Sequence, residues 1–437
     1  MRISKKHYII TEYDHFTRGK EDGVSDDNAR NALPTAVFDA LESFILANNS
    51  SANTKAVDLL SLSARRGAGK LIAAKNHVGL ITTNDGTVIE ILPKIHGVEK
   101  DIDGTKRIFL DMLRTLREIP SKDFNVSNLK TDRLSLFEIF IKMFVSEVIS
   151  LTKQGLKSAY ISIEENVRFC KGKLLVAQNI KHNLISKERF FVRYDEFSLN
   201  RPENRLIKSA LRYLYGYTQD HDNKRNINRL LSMFEAIDFS ANYDSDFSKC
   251  ADDRSVTHYQ NALGWAKVFL RKKSFTAFAG SGVAIALLFP MEKVFESYIA
   301  EKIRKHGGLS RAKVRTQDSG KYLFIEPKNE FALRPDIVIE KREEDPGQVF
   351  VMDTKWKILD SNLPHYGIAQ SDMYQMYAYG KKYGTKSVKL IYPKTDAVSV
   401  VPQPFISGDG VTVRIAFVDL RKEFIDNDID GIIKALA

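Results

Sequence analysis

Leu333-Arg334-Pro335-Asp336, running into the apolar Ile337-Val338-Ile339, and then Val349-Phe350-Val351-Met352, running into Asp353-Thr354-Lys355, decide how this chain is read. Both runs have the β-branched, apolar character of buried strands, and each has an acid at one end. Paired at the rim of a sheet, they bring two carboxylates together. Side chains alternate along a strand, so residues 353 and 355 share a face while Thr354 is expected to point away. Two carboxylates can hold Mg²⁺ on hard oxygen ligands, and a lysine beside them can orient water or stabilise charge growing on a phosphate. These residue types therefore suit metal-assisted phosphodiester hydrolysis.

Upstream, Pro290 opens a helix predicted over 291–304, with Val294, Phe295, Tyr298, Ile299 and Ile303 on one side. Glu292 and Glu296 lie one turn apart on it, and Glu296 is nearer the apolar stripe, able to reach the sheet. Between residues 302 and 315 come six basic residues, Lys302, Arg304, Lys305, Arg311, Lys313 and Arg315, without an acid. That run is read as a DNA-backbone contact rather than a merely solvated helix end. Downstream, 357–367 is a loop and 368–382 a helix on which Gln375 and Tyr379 share a face. Strands follow at 388–392, stopped by Pro393, and at 412–418.

The N-terminal part alternates short apolar runs with turns. A helix over 35–46 precedes strands at 59–62, 70–73, 78–82 and 88–92, with Asn84-Asp85-Gly86 as a hairpin turn. Gly67-Ala68-Gly69-Lys70 only partly resembles a phosphate loop. Ala64 stands in the first glycine's place, and Leu71 stands where Ser or Thr would meet Mg²⁺, so a turn between strands is preferred. Helices are predicted over 105–116, 134–152, 203–215, 224–235 and 259–271. A more irregular, β-containing stretch at 155–200, basic from Arg168 through Arg193, includes the turn Lys171-Gly172-Lys173. We expect three blocks: β-rich 1–100 as an adaptor or targeting domain, a mainly helical 101–250 with a β-containing insertion for partner docking, and the hydrolytic domain 251–437.

A net charge of +11 favours a polyanionic partner. Only Cys170 and Cys250 occur, far apart, so a disulfide scaffold and a cysteine-built zinc site are not supported. No long apolar run follows the basic N-terminus, and the 275–289 run holds two glycines and is short for a membrane span. A cytoplasmic setting is the expectation.

Glu296, Arg334-Pro335-Asp336, Asp353-Thr354-Lys355 and Gln375-Met376-Tyr377-Ala378-Tyr379, in that order, resemble the PD-(D/E)xK nuclease superfamily. More narrowly, the chain resembles the McrC family, nuclease subunits of McrBC modification-dependent restriction systems. Asn204-Arg205-Leu206-Ile207-Lys208-Ser209 and Leu390-Ile391-Tyr392-Pro393 extend that likeness over much of 105–425. The resemblance implies an α+β multidomain protein whose C-terminal restriction-endonuclease-like α/β core has a mixed central sheet, preceded by a helical middle region and a small β-rich N-terminal domain. It implies Asp336 and Asp353 as Mg²⁺ ligands, Lys355 as the catalytic lysine, Glu296 as a further acid with Glu292 as its alternative, and Gln375 and Tyr379 as supporting residues. It also implies double-stranded DNA, possibly modified, as substrate, and a McrB-like AAA+ GTPase hexamer as partner. Arg65, Arg66, Lys171 and Lys173 are candidates for docking on that ring.

Two competing readings remain. In one, the chain is a non-catalytic DNA-binding regulator of the motor, with Asp336 a turn residue and Asp353 and Lys355 a surface ion pair. In the other, it is a nuclease acting on RNA or branched DNA, because a backbone-directed site does not itself choose the nucleic acid.

Overall fold

The computed structural model describes residues 7–19, 31–49, 60–66, 69–98, 100–116, 119–120, 134–251, 258–270, 282–309, 312–341, 348–398 and 400–435. A β-rich N-terminal region, a helical middle region and a C-terminal mixed sheet succeed one another along the chain. The compact units divide differently from the three expected blocks. One unit combines residues 1–136 with 274–437, and the other is 137–273.

Strand pairing explains why the two ends of the chain share a unit. The apolar strand Val283–Pro290, mostly within the run read as a strand or buried segment leading into a helix, pairs antiparallel with His77–Thr83, completing a four-stranded sheet with Val88–Leu92 and His7–Thr11. Gly79 sits where an added Cβ would lie 2.0 Å from the Leu287 carbonyl oxygen, so this pairing needs a residue without a side chain. The helix Ile102–Leu113, assigned from sequence to the middle block, also belongs here, and Phe109 meets Phe289 edge-on at 6.3 Å. A second four-stranded sheet carries the Leu60–Arg65 and Gly69–Ala74 hairpin.

The C-terminal sheet has six strands, in the order Ala312–Thr316, Ile337–Lys341, Val349–Thr354, Ser387–Pro393, Thr412–Val418, Phe405–Ile406. The first three are antiparallel, and Val349–Thr354, Ser387–Pro393 and Thr412–Val418 are parallel. Helix Gln370–Tyr383 covers one face through Met376, Tyr379 and Tyr383, packed on Val338, Val351, Val388 and Leu390. Helix Met291–Lys305 buries Val294, Phe295, Ile299 and Ile303, and packs against Val349–Thr354.

In the 137–273 unit, Phe140 and Phe144 of helix Leu136–Gln154 meet Trp265 and Phe269. Asn204 is fully buried, donating to the Lys157 and Leu199 carbonyls and accepting from the Tyr259 hydroxyl. The stretch read as irregular and β-containing holds a long antiparallel pair, Ala159–Val167 with Phe190–Ser198, and the helix Val176–Asn183. Charged and aromatic residues on both sides of these strands conceal their alternation from a hydrophobicity count. Among the described residues, no helix is long and apolar enough to cross a membrane.

Candidate active site

The two apolar runs pair antiparallel with Ile337 opposite Met352, which sets Asp336 and Asp353 at the same end of two inner strands of the C-terminal sheet. The ladder continues past the strand end as Lys355 N–H donates to the Ile391 carbonyl at 2.9 Å. Asp336 and Asp353 are 9% and 1% exposed, and the Lys355 side chain retains 27%.

Each carboxylate is held by particular donors. Asp336 Oδ2 accepts from both the backbone N–H and the hydroxyl of Thr354, each at 2.7 Å. Thr354, expected to turn away, thus grips the first acid, because its backbone and hydroxyl both face the end of the neighbouring strand. Lys355 Nζ donates to Asp353 Oδ2 and, at 3.3 Å, to Gln375 Oε1. Gln375 Nε2 in turn donates to the Tyr379 hydroxyl at 2.7 Å. Glu296 faces this group, whereas Glu292 takes a hydrogen bond from Asn76 at 3.4 Å. Geometry therefore separates the two acids left open by the helical spacing.

Gln317 was missed. Its backbone N–H donates to the Asp336 carbonyl, and its side-chain amide donates to Glu296 Oε1 and, at 3.3 Å, to Asp336 Oδ1. Its φ of 51° is unusual for a residue with a side chain. Sequence carried no signal for it beyond a polar turn. A cavity of ≈ 320 Å³ beside it is lined by Lys293, Glu296, Ser297, Arg304 and Thr316.

Negative charge exceeds its local compensation. Burial, with the neighbouring Asp336 charge, pushes Asp353 up to about 7 against the pull of Lys355. Burial and Glu296 push Asp336 up to about 6, and burial and Asp353 raise Glu296. Burial works against the Lys355 ammonium, yet Asp353, Asp336 and Asp372 raise its pKa. Oxygen-only carboxylate donors suit a hard divalent cation. Among the described residues, however, no three Asp, Glu, His or Cys side chains are already gathered as a metal-holding group. The Lys355 amine and the Gln317 amide lie among the acids instead.

Most of the basic run is engaged by the protein's own acids. Lys302 pairs with Asp426 at 2.7 Å, Arg304 and Lys305 with Glu301, and Arg315 with Glu340. Arg311 lies outside the described residues, and Lys313 is exposed. Arg65 and Arg66 are exposed at a hairpin end. In the other unit, Lys171 lies 3.5 Å from the Tyr194 ring centroid, and Lys173 is exposed. Lys70, from the partial phosphate-loop motif, pairs with Glu42.

A mixed sheet flanked by helices, with two acids and a lysine at the ends of two inner strands, defines a restriction-endonuclease-like domain. The chain belongs to the family described as McrBC 5-methylcytosine restriction system component, which matches residues 72–393. Among solved structures, it is similar to a chain of the refined half-complex from a tetradecameric assembly of Thermococcus gammatolerans McrB AAA+ hexamers with bound McrC. That match has 18% identity, covers 99% of this chain and 100% of that one, and has a TM-score of 0.72. A chain of the Thermococcus gammatolerans McrBC complex matches with 20% identity over 71% of this chain and 90% of that one, at a TM-score of 0.51. At these identities the likeness is one of fold. No curated protein matches the sequence.

Proposed function

We propose that this chain is the McrC-like nuclease subunit of a McrBC-type restriction complex, hydrolysing duplex DNA and stimulating a partner AAA+ GTPase. The observation that carries this reading is the convergence of Asp336, Asp353 and Lys355 at the ends of two inner strands, with Glu296 facing them. The nuclease role is favoured over the motor role because the one glycine-rich lysine segment lacks the full phosphate-loop pattern and its lysine is bound to Glu42. The partner is inferred from the Thermococcus gammatolerans assembly, in which McrB hexamers bind McrC.

Asp336 and Asp353, with Glu296, would hold a divalent cation such as Mg²⁺. When bound, it supplies Lewis-acid stabilisation of phosphate charge and makes water a stronger acid. Lys355, fixed between Asp353 and Gln375, presents an ammonium for the non-bridging phosphate oxygens or for orienting the attacking water. Tyr379 and Gln375 restrain that amine, so little reorganisation is required as charge develops. Gln317 keeps Glu296 and Asp336 close despite their mutual repulsion.

The test is cleavage of unmodified and cytosine-modified duplexes by the chain reconstituted with its GTPase partner, with Mg²⁺ and with chelator. Asp336→Ala, Asp353→Ala and Lys355→Ala should each lower cutting by about a hundredfold or more while assembly persists. Equal cutting by all three overturns the site. GTPase stimulation by a wild-type chain that does not cut would favour the non-catalytic regulator.

A further inference from the structure

The N-terminal strand reaches the hydrolytic site through one carboxylate. Glu12 follows strand His7–Thr11, and its backbone N–H donates to the Leu92 carbonyl at 2.9 Å. Its side chain is 1% exposed and accepts from the Lys94 backbone N–H at 2.8 Å. The same carboxylate receives the indole N–H of Trp356, whose Nε1 lies 3.0 and 2.9 Å from its two oxygens. Trp356 is the residue after Lys355, and its ring packs against Phe295 with centroids 5.4 Å apart. Phe295 precedes Glu296 on helix Met291–Lys305. One buried indole is thus in contact with the elements that carry both the lysine and the third acid.

A buried carboxylate is an expensive way to satisfy an indole N–H, for which a backbone carbonyl would serve. What the carboxylate adds is reach and direction. It ties the paired ends of strands His7–Thr11 and Val88–Leu92, which share a ladder, to the chain leaving the central sheet at Lys355, which no ladder joins to them. Resting on the nuclease reading above, we propose that Glu12 is a positioning residue for phosphodiester hydrolysis, holding Trp356 so that Lys355 and Glu296 keep their alignment. Residues 1–92 are then part of the hydrolytic machine rather than an appended adaptor.

The experiment compares Glu12→Ala, Glu12→Gln and Trp356→Phe in the full chain assembled with its GTPase partner. Glu12→Gln keeps an acceptor oxygen, and Trp356→Phe keeps the ring packing but loses the N–H. Misalignment of a catalytic group lowers turnover without weakening substrate binding, so Glu12→Ala and Trp356→Phe should lose about tenfold or more in kcat at nearly unchanged KM. Glu12→Gln should recover most of that loss. The chain has two tryptophans, so the Trp356 indole resonance in ¹H–¹⁵N spectra is the one absent from Trp356→Phe. It should move strongly in Glu12→Ala and little in Glu12→Gln. A wild-type complex that cuts while all three variants keep kcat within about twofold overturns this proposal alone. A parallel fall in melting temperature and kcat that Glu12→Gln does not rescue reduces Glu12 to a structural role and also overturns it. Absence of cutting by wild type removes the nuclease reading, and the proposal with it.

Discussion

Glu90 and Asp353 are both buried carboxylates facing a lysine in the same unit, and their surroundings treat the negative charge in opposite ways. Glu90 is fully buried, pairs with Lys106 at 2.8 Å and with His7 at 3.3 Å, and accepts the Leu136 backbone N–H at the start of a helix. Burial alone would raise its pKa, but His7 and Lys106 outweigh it and hold the carboxyl below the usual range. Asp353 has Lys355 but also Asp336, Glu296 and Asp372 nearby, and ends up at about 7. One site closes its electrostatics within the chain, and the other leaves a surplus of negative charge. A closed pair holds a fold together; a surplus is what an incoming cation or phosphate-bound counter-charge can use.

The largest expected effect breaks the closed pair. Lys106→Met leaves the buried Glu90 charge without its lysine and should cost about 3–5 kcal/mol of stability. Asp353→Asn removes a repelled charge, so its melting temperature should be no lower than wild type although cutting is lost. Thermal unfolding of the two variants, measured side by side, checks the contrast. A strongly destabilised Asp353→Asn would mean that the Asp353–Lys355 pair is as structural as Glu90–Lys106.

That contrast was only half legible in the sequence. Asp336, Asp353 and Lys355 could be found because each ends an apolar strand, and strand pairing then brings them together with no further information. Glu296 followed from helical spacing, with the choice against Glu292 left to geometry. Gln317 and Glu12 could not be found this way. Gln317 acts through a turn with positive φ, and Glu12 meets its partner 344 residues away. The basic run at 302–315 was misleading for a related reason. A count begun at Lys302 leaves out Glu301, one residue upstream on the same helix, and does not reveal Asp426 and Glu340, which the fold brings onto Lys302 and Arg315. The division at residue 100 overlooked strand Val283–Pro290, whose pairing with His77–Thr83 spans about half the chain.

Acid–base titration sharpens the comparison on a smaller scale, with Glu12 as the second carboxylate. Burial pushes Glu12 up to about 7 from 4.5, against the hydrogen bonds of Lys94 and Trp356. A raised folded-state pKa means that the native chain binds the proton more tightly. Its contribution is therefore complete below about 4.5 and is lost as pH rises through about 7. The amount at stake is on the order of 3 kcal/mol. Glu90, with its depressed value, contributes above the ordinary glutamate range and loses that contribution as pH falls through its folded pKa. Melting temperatures across this range should show Glu12→Gln flattening the neutral side and Glu90→Gln the acid side. The same slope in both variants would contradict the opposite placement of charge around them.

The smallest effect concerns the same distinction at the surface. Lys302 is held by Asp426, whereas Lys313 is exposed and its cross-strand neighbour Glu340 is engaged by Arg315. A lysine already neutralised within the protein releases few counterions on meeting a phosphate, and an uncommitted one releases about one. If duplex DNA lies along this edge, Lys313→Ala should weaken binding modestly and reduce the slope of log affinity against log salt by about 1. Lys302→Ala should change that slope less, and a surface pair of this kind contributes only about 0–1 kcal/mol to stability. Fluorescence anisotropy of a labelled duplex over a salt series reads both variants. Equal slopes for wild type and Lys313→Ala would move the DNA path away from strand Ala312–Thr316, leaving the Asp336–Asp353–Lys355 cluster itself untouched.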